Sequence, residues 1–345
     1  MHHLNIMLGK GLGGLEQVAI DYQTALSANG VAITTLLRQG AQISPPAGQE
    51  QAYQHLAVSP IPWLTQRRFN AIIKDLQPTT LLLHGNRPLK LFGKKQFNMP
   101  KTNPCKRIFI AHNYRTKPLV HNMDGVIAVS SPVKDHIANQ GYPAHKIHVV
   151  NNMTKMQKVT RQPMRENTPV IGMLTRLHPV KGVDLFIKVL HQLHQDGQNF
   201  KAKIAGDGPE RNTLENLVST YGLQEKIEFL GWVNDKANFF SAVDILAAPS
   251  RSEAFPVTIV EAVSAGIPLV LSDLKGPCSV LTQGKDALIV PVENSTALEN
   301  ALKQLINSPE LRQSMLTAQE QLAINFTEQN VAQKLQTAIQ NICQT

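Results

Sequence analysis

At 345 residues the chain is too long for one ordinary hydrophobic core and suits two domains. Its 42% hydrophobic content fits a globular protein; no run of about 18 uncharged apolar residues offers a membrane span, and the N-terminus carries no signal-peptide pattern. Three scattered cysteines, Cys105, Cys278 and Cys343, exclude a disulfide frame or a zinc cluster, and the net charge of +9 calls for an anionic partner.

The chain opens with an apolar run at residues 4–8 that predicts a first strand. A glycine turn at residues 9–14 and a helical pattern over residues 15–29 follow. Gly9, Gly11 and Gly14 formally satisfy the dinucleotide fingerprint G-x-G-x-x-G. A nicotinamide site would want an acid about 20 residues on, after the second strand. The predicted strand at residues 33–37 is instead followed by Arg38. The turn therefore reads either as a tight strand-to-helix connection or as a phosphate-approach loop for some nucleotide.

Further strands are predicted at residues 80–83, 107–111, 126–129 and 147–150, with helices at 66–76 and 132–139. Alternating strands and helices predict a parallel, doubly wound sheet, whose ligands sit beyond the C-terminal strand ends. Two of those ends carry His84 and His112. Position alone leaves each open between a site residue and an ordinary loop histidine.

Residues 151–168 are polar and aperiodic, with Pro163 near the end, and read as an interdomain linker. A second alternating series has strands at 170–175, 201–205, 227–230, 244–247, 269–272 and 287–290. Its helices fall at 183–194, 209–221, 235–243 and 256–265, and closing helices at 295–307, 310–325 and 330–342. The expected domains are 1–160 and 166–325, with the helix at about 328–345 returning to the first.

The stretch 249–266 concentrates the chemistry. Glu253 lies in a loop, Glu261 lies in the helix behind it, and Pro256 suits the first helical position. Free amides after Pro256, with the helix dipole behind them, make an anion site. Carboxylates that bind hydroxyls, beside an anion site, suggest a ligand carrying sugar and phosphate. Arg176 and Lys181 supply two cations at another strand end, where they can neutralise a diphosphate. No D-x-D motif is present, so a metal-bridged nucleotide is not indicated.

The positive charge is uneven. Residues 1–165 hold 20 Lys and Arg against 6 Asp and Glu, whereas residues 166–345 hold 14 against 19. Between residues 51 and 120 there are 12 basic residues and a single acid, Asp75. An anionic partner is therefore expected at the first half: membrane headgroups, a phosphorylated glycolipid or nucleic acid. Few aromatics and no recognisable module make nucleic acid the weakest of these.

From residue 170 to about 316 the chain resembles the retaining glycosyltransferases of family 4. Ordered motifs carry the resemblance: Gly172, Arg176 and Lys181-Gly182; Gly206-Asp-Gly-Pro209; Phe229-Leu-Gly231; Glu253-Ala-Phe-Pro with Glu261-Ala262; Gly266-Ile-Pro268; and Gly284-Lys-Asp-Ala. The first half matches thinly, through Gly13-Gly14-Leu-Glu16, His112 and Val150-Asn151.

The resemblance implies the GT-B fold, two facing Rossmann-like domains with a cleft between them. It implies a nucleotide diphosphate sugar as donor, UDP- before GDP-, and neither metal nor other cofactor. Arg176 and Lys181 would bind the diphosphate, Glu261 the ribose and Glu253 the donor sugar, with His112 reaching the same sugar. Gly13, Gly14, Gly206, Val233, Phe255, Val257 and Thr258 would complete the donor site. Arg176, Lys181, Glu253 and His112 would carry the chemistry.

Ala254 and Pro256 replace glycines common in the family, and Asn113 replaces an aspartate, which bears on the identity of the sugar. The expected acceptor is a cell-envelope glycan or glycolipid such as a lipopolysaccharide core. The expected location is cytoplasmic, peripheral at the inner face of the membrane. The alternatives are a sugar-nucleotide epimerase on the same fold or a NAD-dependent oxidoreductase.

Overall fold

Apolar strand runs separated by amphipathic helices produce two all-parallel sheets in a computed structural model that describes residues 1–11, 13–94, 105–160 and 168–344. The chain divides into unit 1, Met1–Met153 with Thr327–Thr345, and unit 2, Thr154–Phe326.

Unit 1 begins with β1 (His2–Met7), α1 (Gly14–Ala28), β2 (Ala32–Arg38), β3 (Tyr53–Leu56) and α2 (Pro62–Leu76). It continues with β4 (Thr80–His84), α3 (Asn86–Phe92), β5 (Lys106–Ala111), β6 (Gly125–Ala128), α4 (Ser131–Asn139) and β7 (Ile147–Val149). The sheet order is β3-β2-β1-β4-β5-β6-β7. Central strands are buried throughout: all five residues of β4 are inaccessible, as a sheet covered by helices on both faces requires.

Two elements depart from the expected pattern. β3 buries only Tyr53 and Leu56 at the sheet edge, too little apolar signal to stand out. α3 contains Pro88 in its first turn, where a missing N–H costs nothing, so the proline does not break it.

Unit 2 runs β8 (Val170–Leu174), α5 (Val183–Gln195), β9 (Lys201–Ala205), α6 (Arg211–Thr220), β10 (Ile227–Gly231), α7 (Lys236–Ser241) and β11 (Ile245–Ala248). Then come α8 (Val257–Ala265), β12 (Leu269–Ser272), β13 (Leu288–Val290), α9 (Ser295–Asn307) and α10 (Pro309–Ala323). Its sheet order, β10-β9-β8-β11-β12-β13, matches that of unit 1 strand for strand over six positions. Phe186 and Leu190 of α5 and Leu302 of α9 pack on Ile171, Ile204 and Ile245 to form the core.

Two helix starts lie later than the sequence suggests. Pro256 has extended backbone (φ −74°, ψ 129°) and caps α8 from outside; Val257 is the first helical residue. Pro209 precedes α6 by two residues, with Glu210 as the cap. Of the polar segment 151–168, residues 161–167 lie outside the described residues. Within the rest, Thr154 N–H donates to Phe326 O (3.0 Å) and Val159 N–H to Ala265 O (3.2 Å), both within unit 2.

The last helix, α11 (Glu328–Gln344), packs on α1 and β5 and buries Val331, Leu335, Ile339 and Ile342. Gly125 makes room for it: a Cβ there would stand 2.6 Å from the Ile342 side chain. None of the described helices is long and apolar enough to cross a membrane.

Candidate active site

In unit 2 the winding direction reverses between β8 and β11, which are adjacent in the sheet but three strands apart in the chain. A crevice opens outside the carboxyl ends of strands at such a point. The loops leaving those two strands carry Lys181 and Glu253, and the structure brings them into an ion pair. Ser250 Oγ donates to the same Glu253 oxygen at 3.2 Å. Thr175, Lys181, Ser250, Glu253, Thr258 and Ser272 line one pocket there. Val257 and Thr258 supply first-turn amides of α8 that have no intrahelical acceptor.

Local backbone contacts set this geometry. Gly182, the cap of α5, has φ +70°, and a Cβ on it would collide with Pro249 O. The Lys181 loop and the Glu253 loop therefore lie backbone against backbone, a closeness only glycine permits. Arg251 stitches them further. Its guanidinium forks onto Asp184 at 2.8 and 2.9 Å, its Nε reaches Glu293 at 2.9 Å, and its backbone N–H donates to Val180 O at 2.8 Å. That fork holds the Asp184 carboxyl below the usual range, and the two carboxylates push Arg251 higher still. On the other side of the loop, a Cβ at Gly276 would collide with Ala254 O.

The Gly206-Asp-Gly turn holds the segment that carries Arg176. Gly206 has φ +128°, and a Cβ at Gly206 or Gly208 would strike Thr175 O or Leu177 O. Leu177 N–H donates to Asp207 O (2.9 Å), and the Gly206 amide is itself engaged by Gly231 O (2.7 Å). Arg176 is exposed and has no ion-pair partner among the described residues. It does not line the pocket that holds Lys181 and Glu253.

Glu261 lies one turn beyond Thr258 on α8, and so on the same helical face. It is buried, pairs with Lys236 at 2.5 Å through Oε1, and leaves Oε2 buried with no hydrogen-bond partner among the described residues. Lys236 is one residue that sequence reasoning missed, because a contact across 25 residues and two elements leaves no spacing signal. Val233 is half-buried in the preceding loop beside an exposed Trp232, whose indole N–H donates to Asn234 Oδ1 at 3.0 Å. Phe255 is buried, its ring 6.1 Å from that of Phe326.

In unit 1 the turn after β1 is occupied by its own helix. The Glu16 carboxylate accepts from the Gly13 N–H at 3.1 Å and fills the space a Cβ on Gly9 would need. Gly13 and Gly14 are exposed. β2 ends at Arg38, with no acid there to hold a ribose. At the carboxyl ends of β4 and β5, His84 and His112 stack with ring centroids 5.1 Å apart, and His84 Nδ1 lies 3.0 Å from His112 Nε2. Burial pushes His112 down to about 4; burial, then the neighbouring ring, holds His84 well below the usual range.

Residues 155–321 match the model of the family described as glycosyl transferases group 1. The chain is 24% identical over 332 residues to the lipopolysaccharide core biosynthesis glycosyltransferase LpsD of Rhizobium meliloti, covering 92% of each chain. It is 25% identical over 252 residues to the alpha-D-kanosaminyltransferase of Streptomyces kanamyceticus, 69% of this chain and 64% of that relative. Among solved structures, Anabaena Alr3699/HepE in complex with UDP-glucose superposes with a TM-score of 0.83 over 99% of both chains at 19% identity. The lipopolysaccharide outer core galactosyltransferase WaaB gives 0.78 over 98% of this chain and 99% of that one at 18% identity. The two doubly wound sheets are those of the GT-B fold.

Proposed function

We propose that this glycosyltransferase, whose residues 155–321 fall within the glycosyl transferases group 1, moves a hexose or hexosamine with retention from a nucleotide diphosphate sugar to a cell-envelope glycan or glycolipid. The observation that carries this reading is the Lys181–Glu253 pair at the switch point of unit 2, beside the open amides of α8. Breaking the anomeric bond places negative charge on the departing diphosphate, and stabilising that charge is the main task. Lys181, Arg176 and the amides of Val257 and Thr258 take it up, with no metal in the scheme. Glu253 holds hydroxyls of the donor sugar, and the open Oε2 of Glu261 accepts from the ribose. His112 meets the donor sugar. The leaving phosphate itself takes the acceptor proton in a front-face displacement.

UDP is the preferred base-carrying group, an assignment supported by the UDP-glucose complex of the Anabaena neighbour. A lipopolysaccharide core is the preferred acceptor class, supported by the name of the Rhizobium relative. The acceptor meets unit 1, whose basic surface holds the enzyme at the inner face of an anionic membrane. On α2, exposed Trp63, Arg67 and Lys74 follow helical spacing along one face, and exposed Ile61 precedes them.

The nicotinamide reading is disfavoured by Arg38, which ends β2 where a dinucleotide site would want an acid for the ribose. An epimerase on the same fold would release altered sugar without any acceptor. Thermal-shift and donor-hydrolysis screens across nucleotide sugars test the proposal, with Lys181→Ala and Glu261→Ala as controls. Variants that bind and hydrolyse donor like the parent would sink the site assignment.

A further inference from the structure

β4 and β5 are neighbours in register, His84 opposite Ile110, so the chain ends of both strands deliver a histidine to one place. His84 is 1% exposed, and Tyr22 of α1 packs edge-on against it with centroids 5.1 Å apart. The Nδ1 of His84 and the Nε2 of His112 lie 3.0 Å apart, at hydrogen-bond distance, so one of the two nitrogens donates to the other. The other ring nitrogen of His84, Nε2, is buried and has no partner among the described residues. His112 is half-buried, and among the described residues its recorded ring-nitrogen contact is through Nε2 alone.

Two neutral arrangements satisfy the contact. If His112 donated from Nε2, His84 would accept at Nδ1 and bury an N–H with nothing to receive it. If His84 donates from Nδ1, only a lone pair is left unfilled at its Nε2. Buried donors without acceptors are rarer than under-used acceptors, and each lost hydrogen bond carries a full desolvation cost. The second arrangement wins. His112 then accepts at Nε2, and its single proton sits on Nδ1.

We propose that His84 is a positioning residue that locks His112 as a neutral ring with its proton on Nδ1, so that His112 serves as a hydrogen-bond donor to a ligand hydroxyl or ring oxygen and not as a general base. With Nε2 filled by His84 and Nδ1 protonated, His112 has no lone pair to accept a proton. This inference rests on the glycosyl-transfer reading only for what His112 touches; the tautomer follows from unit 1 alone.

Two experiments test it on the full chain. Long-range nitrogen–proton NMR, with His112 assigned from a His112→Asn spectrum, should show a protonated Nδ1 and a bare Nε2; the opposite tautomer overturns the proposal. In the second, UDP-glucose turnover is measured for His84→Asn, whose amide N–H replaces Nδ1–H, and for His84→Phe, which keeps ring volume without the donor. His84→Phe should lose about ten-fold in kcat, the worth of one hydrogen bond, and gain a pH limb near the ordinary imidazole range. His84→Asn should recover most of that rate without the limb. Equal loss in both variants at unchanged melting temperature overturns it. If the parent shows the expected tautomer but no turnover of any nucleotide sugar, the glycosyl-transfer reading fails and the tautomer lock stands.

Discussion

Lys181 and Glu253 lie 72 residues apart in the chain and are ion-paired in the structure, each less than a quarter exposed. The carboxylate thus occupies the cation that a diphosphate would use, so binding must exchange one anion for another. Glu253→Gln removes the competitor. UDP, which lacks the sugar, should bind that variant tighter by up to about five-fold, the scale of a partly exposed pair, while sugar transfer falls. Lys181→Ala should weaken UDP. Calorimetric titration of UDP into both variants decides; weaker binding to Glu253→Gln would mean the pair does not compete with phosphate.

Glu261 presents a buried Oε2 with no partner among the described residues, while Lys236 holds its other oxygen. A buried acceptor left open is costly unless something fills it, and a vicinal diol can. Glu261→Gln keeps shape but loses charge, so the KM for nucleotide sugar should rise by about ten-fold or more, since hydrogen bonds to charged groups are the stronger kind. Lys236→Met should raise KM less, because it frees Glu261 rather than removing it. Initial-rate kinetics with both variants make the comparison; a donor KM unchanged in Glu261→Gln removes the ribose assignment.

Gly182 adopts φ +70° in contact with Pro249 O. Alanine there adds both left-handed strain and a backbone collision, so the two loops must part. The backbone strain alone is worth about 1–3 kcal/mol. Unfolding of Gly182→Ala should therefore begin several degrees lower by calorimetry, with donor affinity falling alongside. Gly284→Ala has similar φ (+73°) with nothing near its Cβ and serves as the strain-only comparison. Equal melting temperatures in the two variants would show that the loop contact carries no energy.

Much of this arrangement is legible in the sequence, and the boundary of legibility has a physical basis. Strand 269–272 is read to the residue because burial on both faces makes it apolar from Leu269 to Leu271, and strand 201–205 because Lys201 and Lys203 alternate with buried Ala202 and Ile204. Glu253 and Glu261 stand out because ordered motifs surround them. Lys236, Arg251 and the role of His84 do not, because each acts through a partner on another element. Glycines show a related limit. Gly206 and Gly208 read as a sharp turn at a strand end, but not as the close packing against the backbone of Thr175 and Leu177 that the structure adds.

Three histidines of unit 1, His3, His84 and His112, are held neutral by burial, with His3 and His112 down to about 4. Their folded values lie below the unfolded value near 6.5, so the unfolded chain binds protons first as pH falls. The stability they confer is complete above about pH 6.5 and is lost progressively towards pH 4. Melting temperature should be flat from pH 8 to 7 and drop between pH 6.5 and 5, above the range where carboxylates titrate. His112→Asn should flatten part of that slope. A flat profile for the parent down to pH 5 would show that these rings titrate normally.

Trp63 is 61% exposed and Ile61 47%, beside exposed Arg67 and Lys74 on α2. Apolar anchors rimmed by cations are the pattern of a surface that rests on an anionic leaflet. Each Lys or Arg near such a leaflet contributes about 1 kcal/mol, and each removal should therefore weaken partition about five-fold. In flotation with phosphatidylglycerol vesicles at low salt, the parent should rise with the lipid. Arg67→Glu with Lys74→Glu should abolish flotation, and Trp63→Ala should reduce it even at salt concentrations that screen the charges. Glycosyl transfer to a soluble acceptor should survive all three changes, since none of these residues belongs to the donor site. Parent protein left with the unbound fraction would refute membrane contact while leaving the transferase reading intact.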